Sequence, residues 1–124
     1  MIASHTPPES AVTELGSLHE VVEWARVEFP DEDDFVVLGD FNAGCDYATR
    51  AELDALALRG PSYFWIIPDH SDSNVSTGTA CAYDRTTAET AAEFSRHWGI
   101  DRAFSDKAVS DHWPVWAEFH AQER

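Results

Sequence analysis

The stretch FVVLGDFN, residues 35–42, decides the expected fold. Its first four residues form an unbroken apolar run, which is typical of a buried strand, and the chain must turn where the run ends at Gly39. Residues two positions apart lie on the same side of an extended backbone, so the Asp40 carboxylate and the Asn42 amide should face the same way. A carboxylate can bind a hard cation, and an amide can donate to a phosphate oxygen. In isolation, a capped turn is the more common explanation, because both residue types favour turns.

Helical and strand patterns alternate around this stretch. Apolar spacing predicts one helix over residues 11–29, ended by Pro30, and another over 50–58. The remaining segments are predicted as a strand over 63–67, a polar loop over 69–78, a strand that begins at 82–85 but continues poorly, a short helix over 90–97 and a closing strand over 113–119. This alternation of helices and strands indicates a mixed α/β fold built on a sheet.

Length and composition indicate one globular domain. The chain has 124 residues, of which 44% are hydrophobic and 12% aromatic, so a core can form and disorder is disfavoured. No apolar run approaches the roughly 20 residues that span a bilayer, so we expect no membrane partner. The first residues are too few and too polar for a signal peptide.

The charge is strongly acidic, with 23 acidic residues against 8 basic ones and a net charge of −15. Lys107 is the only lysine, so the basic surface that usually accompanies nucleic-acid binding is absent from the sequence. Two explanations remain open. The acidic surface is either an adaptation to high salt or a means of gathering divalent cations that bridge to phosphate. The scattered placement of the acids favours the first, halophilic explanation.

The stretch SDHWPV, residues 110–115, places a histidine after a carboxylate and just before the closing strand. His112 can take a proton from water near neutral pH, and Asp111 can hold a metal ion or orient the site. The alternative is an ordinary surface histidine in a loop. The position of the Asp111–His112 pair directly before an apolar strand favours the functional interpretation.

Two more residues have weaker support from the sequence alone. Asp84, in CAYDR at residues 81–85, can accept a hydrogen bond from a histidine ring, which fixes the tautomer and raises the basicity of that ring. The alternative is a surface ion pair with Arg85, which would contribute little. By itself, His5 is an ordinary histidine near the N-terminus.

Together these stretches resemble the endonuclease/exonuclease/phosphatase superfamily, and within it the deoxyribonuclease I branch, from about residue 5 to residue 119. The superfamily signatures are DFN at residues 40–42 and SDHWPV at 110–115. The branch-specific matches are GDFNAGCDY at 39–47, FWIIPD at 64–69 and CAYDR at 81–85. The resemblance implies half of a four-layer α/β sandwich, with a mixed sheet and flanking helices.

The resemblance also implies roles for six residues. They are His5 as general acid, His112 as general base, Asp84 as the carboxylate that orients His112, Asp40 and Asp111 as acids near the metal and the scissile phosphate, and Asn42 as the amide that positions phosphate or water. The implied cofactor is Mg²⁺ or Mn²⁺, with Ca²⁺ as a further cation.

A disulfide between Cys45 and Cys81 and a structural calcium site near Asp72 follow from the same resemblance. The disulfide would stabilise the fold by roughly 4 kcal/mol on the chain-entropy model. It also suggests a secreted or extracellular protein. The calcium assignment is weaker, because the loop that contains Asn74 and Ser76 or Thr77 differs in length from the family's.

A complete family member has about twice this length and two facing sheets, and its N-terminal half supplies two glutamates of the site. We therefore expect residues 1–124 to be the C-terminal portion of such a domain, with one sheet face exposed and a tendency to self-associate or to need the missing half as a partner. The expected activity is metal-dependent hydrolysis of phosphodiesters in DNA. The alternatives are a phosphoesterase acting on a lipid head group or small phosphate ester, and a non-catalytic remnant.

Overall fold

The computed structural model describes residues 1–76, 78–88, 92–104 and 106–121. Its two main helices are α1 (Ala11–Glu28) and the short α2 (Arg50–Asp54). The larger sheet has the strand order β1 (Ile2–His5), β2 (Val36–Asp40), β4 (Asp84–Ala88), β3 (Phe64–Trp65), and a smaller sheet pairs β5 (Phe94–Ile100) with β6 (Val115–Phe119). β1 is parallel to β2, whereas β4 is antiparallel to both of its neighbours. The larger sheet is therefore mixed, which confirms the predicted α/β class with flanking helices.

Helix α1 packs one face into the main core, as its apolar spacing predicts. Leu15, Val22 and Ala25 are buried in the same cluster as Val37 of β2. The helix ends at Glu28, close to the proline that was expected to stop it. None of the described helices is long and apolar enough to cross a membrane.

The predicted helix over 50–58 is divided in two. α2 begins with a capping box in which the Thr49 side chain accepts from the backbone of Glu52, and it is followed by a 3-10 turn at Ala57–Arg59. Leu53 and Leu58 are both buried. A continuous α-helix would point them about 140° apart, at about 100° per residue, so the break lets both reach the core.

Residues 94–97, predicted as the end of a helix over 90–97, instead begin strand β5. β5 pairs antiparallel with β6, with an irregularity between Phe94 and Trp98 and a positive φ of 71° at Arg96. Phe94 is buried in a second cluster with Ile66 and Ile67. This burial and the partner strand override a weak helical pattern. Residues 90 and 91, which belong to the same prediction, lie outside the described residues.

Strand β4 runs further than the polar residues after Arg85 suggested. Thr86 and Thr87 are buried, because β4 lies between β2 and β3, and the Thr87 hydroxyl donates to the Phe64 carbonyl at 3.2 Å. β-branched threonine suits such a strand once its hydroxyl has a partner.

The sheet residues that were not all expected to be covered divide into two groups, of which Trp65, Trp113 and Val115 are half-buried. Phe35, Val37 and Ile67 are all buried. Among the described residues, half of the large apolar side chains that remain exposed lie on α1 and on the smaller sheet. They include Val21, Trp24, Val27, Trp98, Trp116 and Phe119.

Candidate active site

Three neighbouring strands bring three of the predicted site residues into one row. In the register of the larger sheet, His5 of β1 lies opposite Asp40 of β2, and Asp40 lies opposite Asp84 of β4. Directly opposite residues have neighbouring side chains, so the row is a consequence of strand pairing. His5 Nε2 lies 3.6 Å from Asp40 Oδ2.

His112 joins this row from the segment that precedes β6. Its Nδ1 lies 2.9 Å from Asp84 Oδ2 and 3.6 Å from Asp40 Oδ2. The hydrogen bond to Asp84 raises the pKa of His112 above its usual 6.5 despite the opposing effect of burial, and the nearby carboxylates add to the rise. Because Nδ1 faces Asp84, Nε2 is the ring nitrogen left to exchange a proton with a substrate or a water.

Asn42 organises the turn that follows β2. Its φ of 46° lies in the left-handed region, which asparagine tolerates better than most residues. Its backbone N–H donates to Asp40 Oδ1 at 2.9 Å, and its Nδ2 donates to the Thr6 carbonyl at 2.8 Å. Asn42 therefore ties the end of β1 to the turn that carries Asp40, a role that the sequence did not suggest. An amide nitrogen has two protons, so one donor direction remains beyond the Thr6 bond.

Asp40 is the carboxylate at the centre of the cluster. Burial raises its pKa, the Asn42 N–H opposes that rise, and the nearby Asp84 carboxylate reinforces it. The ligand atoms of Asp40, Asp84 and His112 lie within 4.8 Å of one another, so the group can hold a metal ion. Carboxylate oxygens at this spacing suit a hard divalent cation, which would also favour the charged form of Asp40. Of the residues predicted to hold the metal, Asp40 belongs to this group and Asp111 does not.

Asp111 stands apart from the buried part of the cluster. Its side chain is 83% exposed, and its Oδ1 lies 3.8 Å from His112 Nε2. It borders an open cleft of about 410 Å³. Asp111 can therefore reach a ligand that enters the cleft, whereas Asp84 is committed to the histidine.

Two tyrosines that the sequence did not single out complete the cleft wall. Tyr83 stacks on His112 with ring centroids 5.6 Å apart, and Tyr47 lies 5.9 Å from Tyr83. Both line the cleft. The sequence signal for them is their position inside GDFNAGCDY and CAYDR, next to Asp46 and Asp84.

The predicted disulfide between Cys45 and Cys81 is confirmed. It links residues 36 positions apart, with Cα atoms separated by 5.8 Å. One end follows the Asp40–Asn42 turn and the other precedes Asp84. The bond therefore joins two of the segments that form the cluster.

Comparison with known proteins agrees with this arrangement. The Endonuclease/Exonuclease/phosphatase family matches residues 2–114, a span that contains every residue of the cluster. The chain belongs to this family. Deoxyribonuclease-1 of Equus caballus is 33% identical and that of Canis lupus familiaris is 35% identical, each over 129 residues. Deoxyribonuclease-1-like 2 of Homo sapiens is 34% identical over 134 residues.

The three alignments cover 93% of this chain but only 45%, 44% and 42% of the respective relatives. The chain therefore spans less than half the length of these curated relatives. The activity of a whole protein of this family is accordingly a proposal for this chain and is argued below.

Asp72, the candidate for a structural calcium, lies outside the cluster. Its Oδ1 accepts the backbone N–H groups of Asn74 at 3.0 Å and Cys81 at 3.1 Å, and its Oδ2 lies 4.0 Å from Arg102. The carboxylate thus holds the loop to the disulfide. Thr77, part of the expected ligand set, lies outside the described residues, and the calcium role in this family member stays a prediction.

The alternative in which Asp84 pairs with Arg85 on the surface is wrong. Arg85 has a side-chain exposure of 1%, and its Nη1 lies 3.0 Å from Asp69 Oδ1. It also donates to the carbonyls of Ile67 at 2.8 Å and Ala82 at 2.7 Å. Adjacent residues of a strand point to opposite faces, so Arg85 turns into the core while Asp84 faces His112.

Proposed function

We propose that the protein hydrolyses phosphodiester bonds in DNA with a divalent cation, and that residues 1–124 form the C-terminal portion of its catalytic domain. The observation that carries the proposal is the Asp84–His112 contact of 2.9 Å beside Asp40. A water molecule can be activated by an oriented histidine that lies next to a metal-binding carboxylate. The similarity to Deoxyribonuclease-1 supports DNA as the substrate class.

His112 acts as the general base in this proposal. Asp84 holds its Nδ1, and Nε2 takes a proton from water as the water oxygen bonds to phosphorus. His5 acts as the general acid and donates a proton to the 3′ oxygen as the bond from phosphorus to that oxygen breaks. Both histidines lie 3.6 Å from the same Asp40 oxygen, so Asp40 stands between the base and the acid.

Asp40 and Asp111 are the residues proposed to hold the cation. Mg²⁺ or Mn²⁺ fits their oxygen ligands, and Ca²⁺ is a further candidate. A cation at this position would neutralise negative charge that develops on the phosphate. Asn42 would direct its second amide proton to a phosphate oxygen or to the attacking water.

A second candidate function is hydrolysis of a smaller phosphate ester, including a lipid head group. The net charge of −15 and the cleft lining favour this candidate. Among the described residues that line the cleft there is no lysine or arginine, whereas Asp46 and Asp111 are present. Such a surface repels a polyanion more strongly than a small ester. High salt screens this repulsion, so the acidic surface would not prevent DNA from binding at high ionic strength.

The test of the proposal is nicking of supercoiled plasmid with Mg²⁺, Mn²⁺ or Ca²⁺. It uses the chain alone and the chain fused to the part of Equus caballus Deoxyribonuclease-1 that it does not match. We expect activity from the fusion and little from the chain alone. His112→Ala should lower the rate by about 100-fold or more, the usual contribution of a general base. His97→Ala is the matched control, because His97 pairs with Glu118 on the smaller sheet.

Normal nicking by the His112→Ala fusion would refute the assigned base. A fusion that hydrolyses a nitrophenyl phosphate ester or phospholipid vesicles faster than plasmid would support the second candidate. A fusion that hydrolyses none of these substrates would support a non-catalytic remnant, whereas hydrolysis that persists without a divalent cation would refute the proposed metal role.

We further propose that the protein works in an oxidising, extracytoplasmic setting and is adapted to high salt. The Cys45–Cys81 disulfide supports the first, since such bonds persist mainly in secreted proteins. The excess of acidic residues supports the second. The chain alone is also proposed to self-associate or to bind its complementary half, which its mass in solution would test.

A further inference from the structure

Ser73 occupies a buried position between the two segments that carry the Asp84–His112 pair. Its side chain is fully buried, although it lies in a segment whose composition indicates only a polar loop. Its hydroxyl oxygen accepts the backbone N–H groups of Tyr83 and Asp84, each at 3.1 Å. The Asp84 backbone is thereby anchored by a side chain from a different segment.

The backbone of Ser73 reaches the histidine segment as well. Its carbonyl accepts the N–H of Trp113 at 2.7 Å, and its own N–H donates to the Cys81 carbonyl at 3.0 Å. The next two residues extend the contact, because Asn74 forms a β-bridge with His112 and the Val75 N–H donates to the Asp111 carbonyl at 2.9 Å. Residues 73–75 therefore form a strap that bonds to the Asp84 segment on one side and to the His112 segment on the other.

We infer that Ser73 is a positioning residue that sets the relative placement of Asp84 and His112, and so the orientation of the proposed general base. The inference rests on the proposed function for its catalytic consequence, but its structural content concerns the pair alone. His112 Nδ1 and Asp84 Oδ2 lie 2.9 Å apart, and displacement of either side chain would weaken this ion-pair contact. Both backbones are bonded to Ser73, and loss of its hydroxyl removes the bonds to the N–H groups of Tyr83 and Asp84, while the Ser73 N–H keeps its bond to the Cys81 carbonyl.

The chain offers matched variants for a test. Ser73→Ala removes the hydroxyl, Ser73→Thr keeps it, and Ser73→Val replaces it with a methyl group in the shape of threonine. Ser71→Ala is the control, because Ser71 is also buried in this loop and its backbone N–H donates to the Pro68 carbonyl at 3.1 Å.

The deciding measurement is the proton NMR signal of the His112 Nδ1–H group at a fixed pH, which is shifted downfield while the proton is bonded to the Asp84 carboxylate. We expect the wild-type signal in Ser71→Ala and Ser73→Thr, and its loss or a clear upfield shift in Ser73→Ala and Ser73→Val. This readout does not require hydrolysis, so it stands even if the proposed function fails. In a preparation that nicks plasmid, kcat should fall about 10- to 100-fold in Ser73→Ala with little change in KM, as for a misplaced catalytic group.

An unchanged His112 signal in folded Ser73→Ala or Ser73→Val would overturn the inference. So would failure of both variants to fold, because the hydroxyl would then serve the whole fold and not the pair. A signal lost equally in Ser71→Ala would show that any change in this loop disturbs His112, which also contradicts a specific role for Ser73.

Discussion

Replacement of Arg85 by alanine should be one of the most destabilising substitutions in this chain. The guanidinium is fully buried, and burial lowers its pKa to about 10 against the opposing effect of Asp69. It pairs with Asp69 and donates to three carbonyls, those of Ile67, Ala82 and Ala43, the last at 3.5 Å. These acceptors come from three separate segments around the disulfide. Arg85→Ala would leave them without their common donor.

The loss of unfolding free energy in Arg85→Ala depends on the acceptor groups that lose their hydrogen-bond partner. Breaking a buried ion pair by removing one partner typically costs about 3–5 kcal/mol, and each buried carbonyl left without a donor adds to the cost unless water enters. Asp69 keeps its bonds to Arg59, which limits the loss. We therefore expect about 3–5 kcal/mol, a large share of the roughly 5–15 kcal/mol that stabilises a typical domain.

Arg50 provides the control. It also lies near Asp69, with Nη1 3.4 Å from Oδ2, but its side chain is 71% exposed. Exposed ion pairs contribute about 0–1 kcal/mol, so Arg50→Ala should be nearly neutral. Urea denaturation followed by tryptophan fluorescence measures both variants. A loss in Arg85→Ala within 1 kcal/mol of that in Arg50→Ala would refute the reasoning, because burial would then not distinguish the two arginines.

Three further predictions concern the disulfide, the histidine and the surface charge. Reduction of Cys45–Cys81 should lower the free energy of unfolding by about 4 kcal/mol, the chain-entropy value for a loop of this length. The unreduced, unfolded protein should show no free thiol by titration, and an unchanged urea midpoint after reduction would contradict the estimate. The pKa of His112 is raised in the fold, so its pairing with Asp84 stabilises fully below pH 6.5, and this contribution is lost as the pH rises through the folded pKa. Asp84→Asn should flatten that pH dependence in urea titrations, and an identical pH profile would show that the pair is not the cause. The melting temperature should rise between dilute buffer and molar salt, because the net charge of −15 is self-repulsive, and calorimetry that finds a flat or falling value would remove the salt-adaptation argument.

The local sequence determined most elements and the identity of most of the cluster. The apolar run at 35–38 specified a buried strand, the spacing before Pro30 specified α1, and the alternation after residue 113 specified β6. These features depend on neighbouring residues alone, so period and composition suffice to predict them. Site residues such as Asp40 and His112 were identified because their motifs resemble those of a family, and the structure places them together.

Only the tertiary structure decided which residues meet. β5 forms in place of a predicted helix because it pairs with β6 and because Phe94 packs into a buried cluster. Both partners come from other parts of the chain, so the local sequence does not indicate them. Arg85 proved to be a core residue, because Asp84 faces His112 and the next residue of the strand points to the opposite face. Ser73 proved to link two segments, because its hydroxyl accepts the Asp84 N–H and its carbonyl accepts the Trp113 N–H. The sequence gives the identity and order of the side chains along the chain. Their distances depend on strand pairing and packing, which bring residues tens of positions apart within hydrogen-bonding reach.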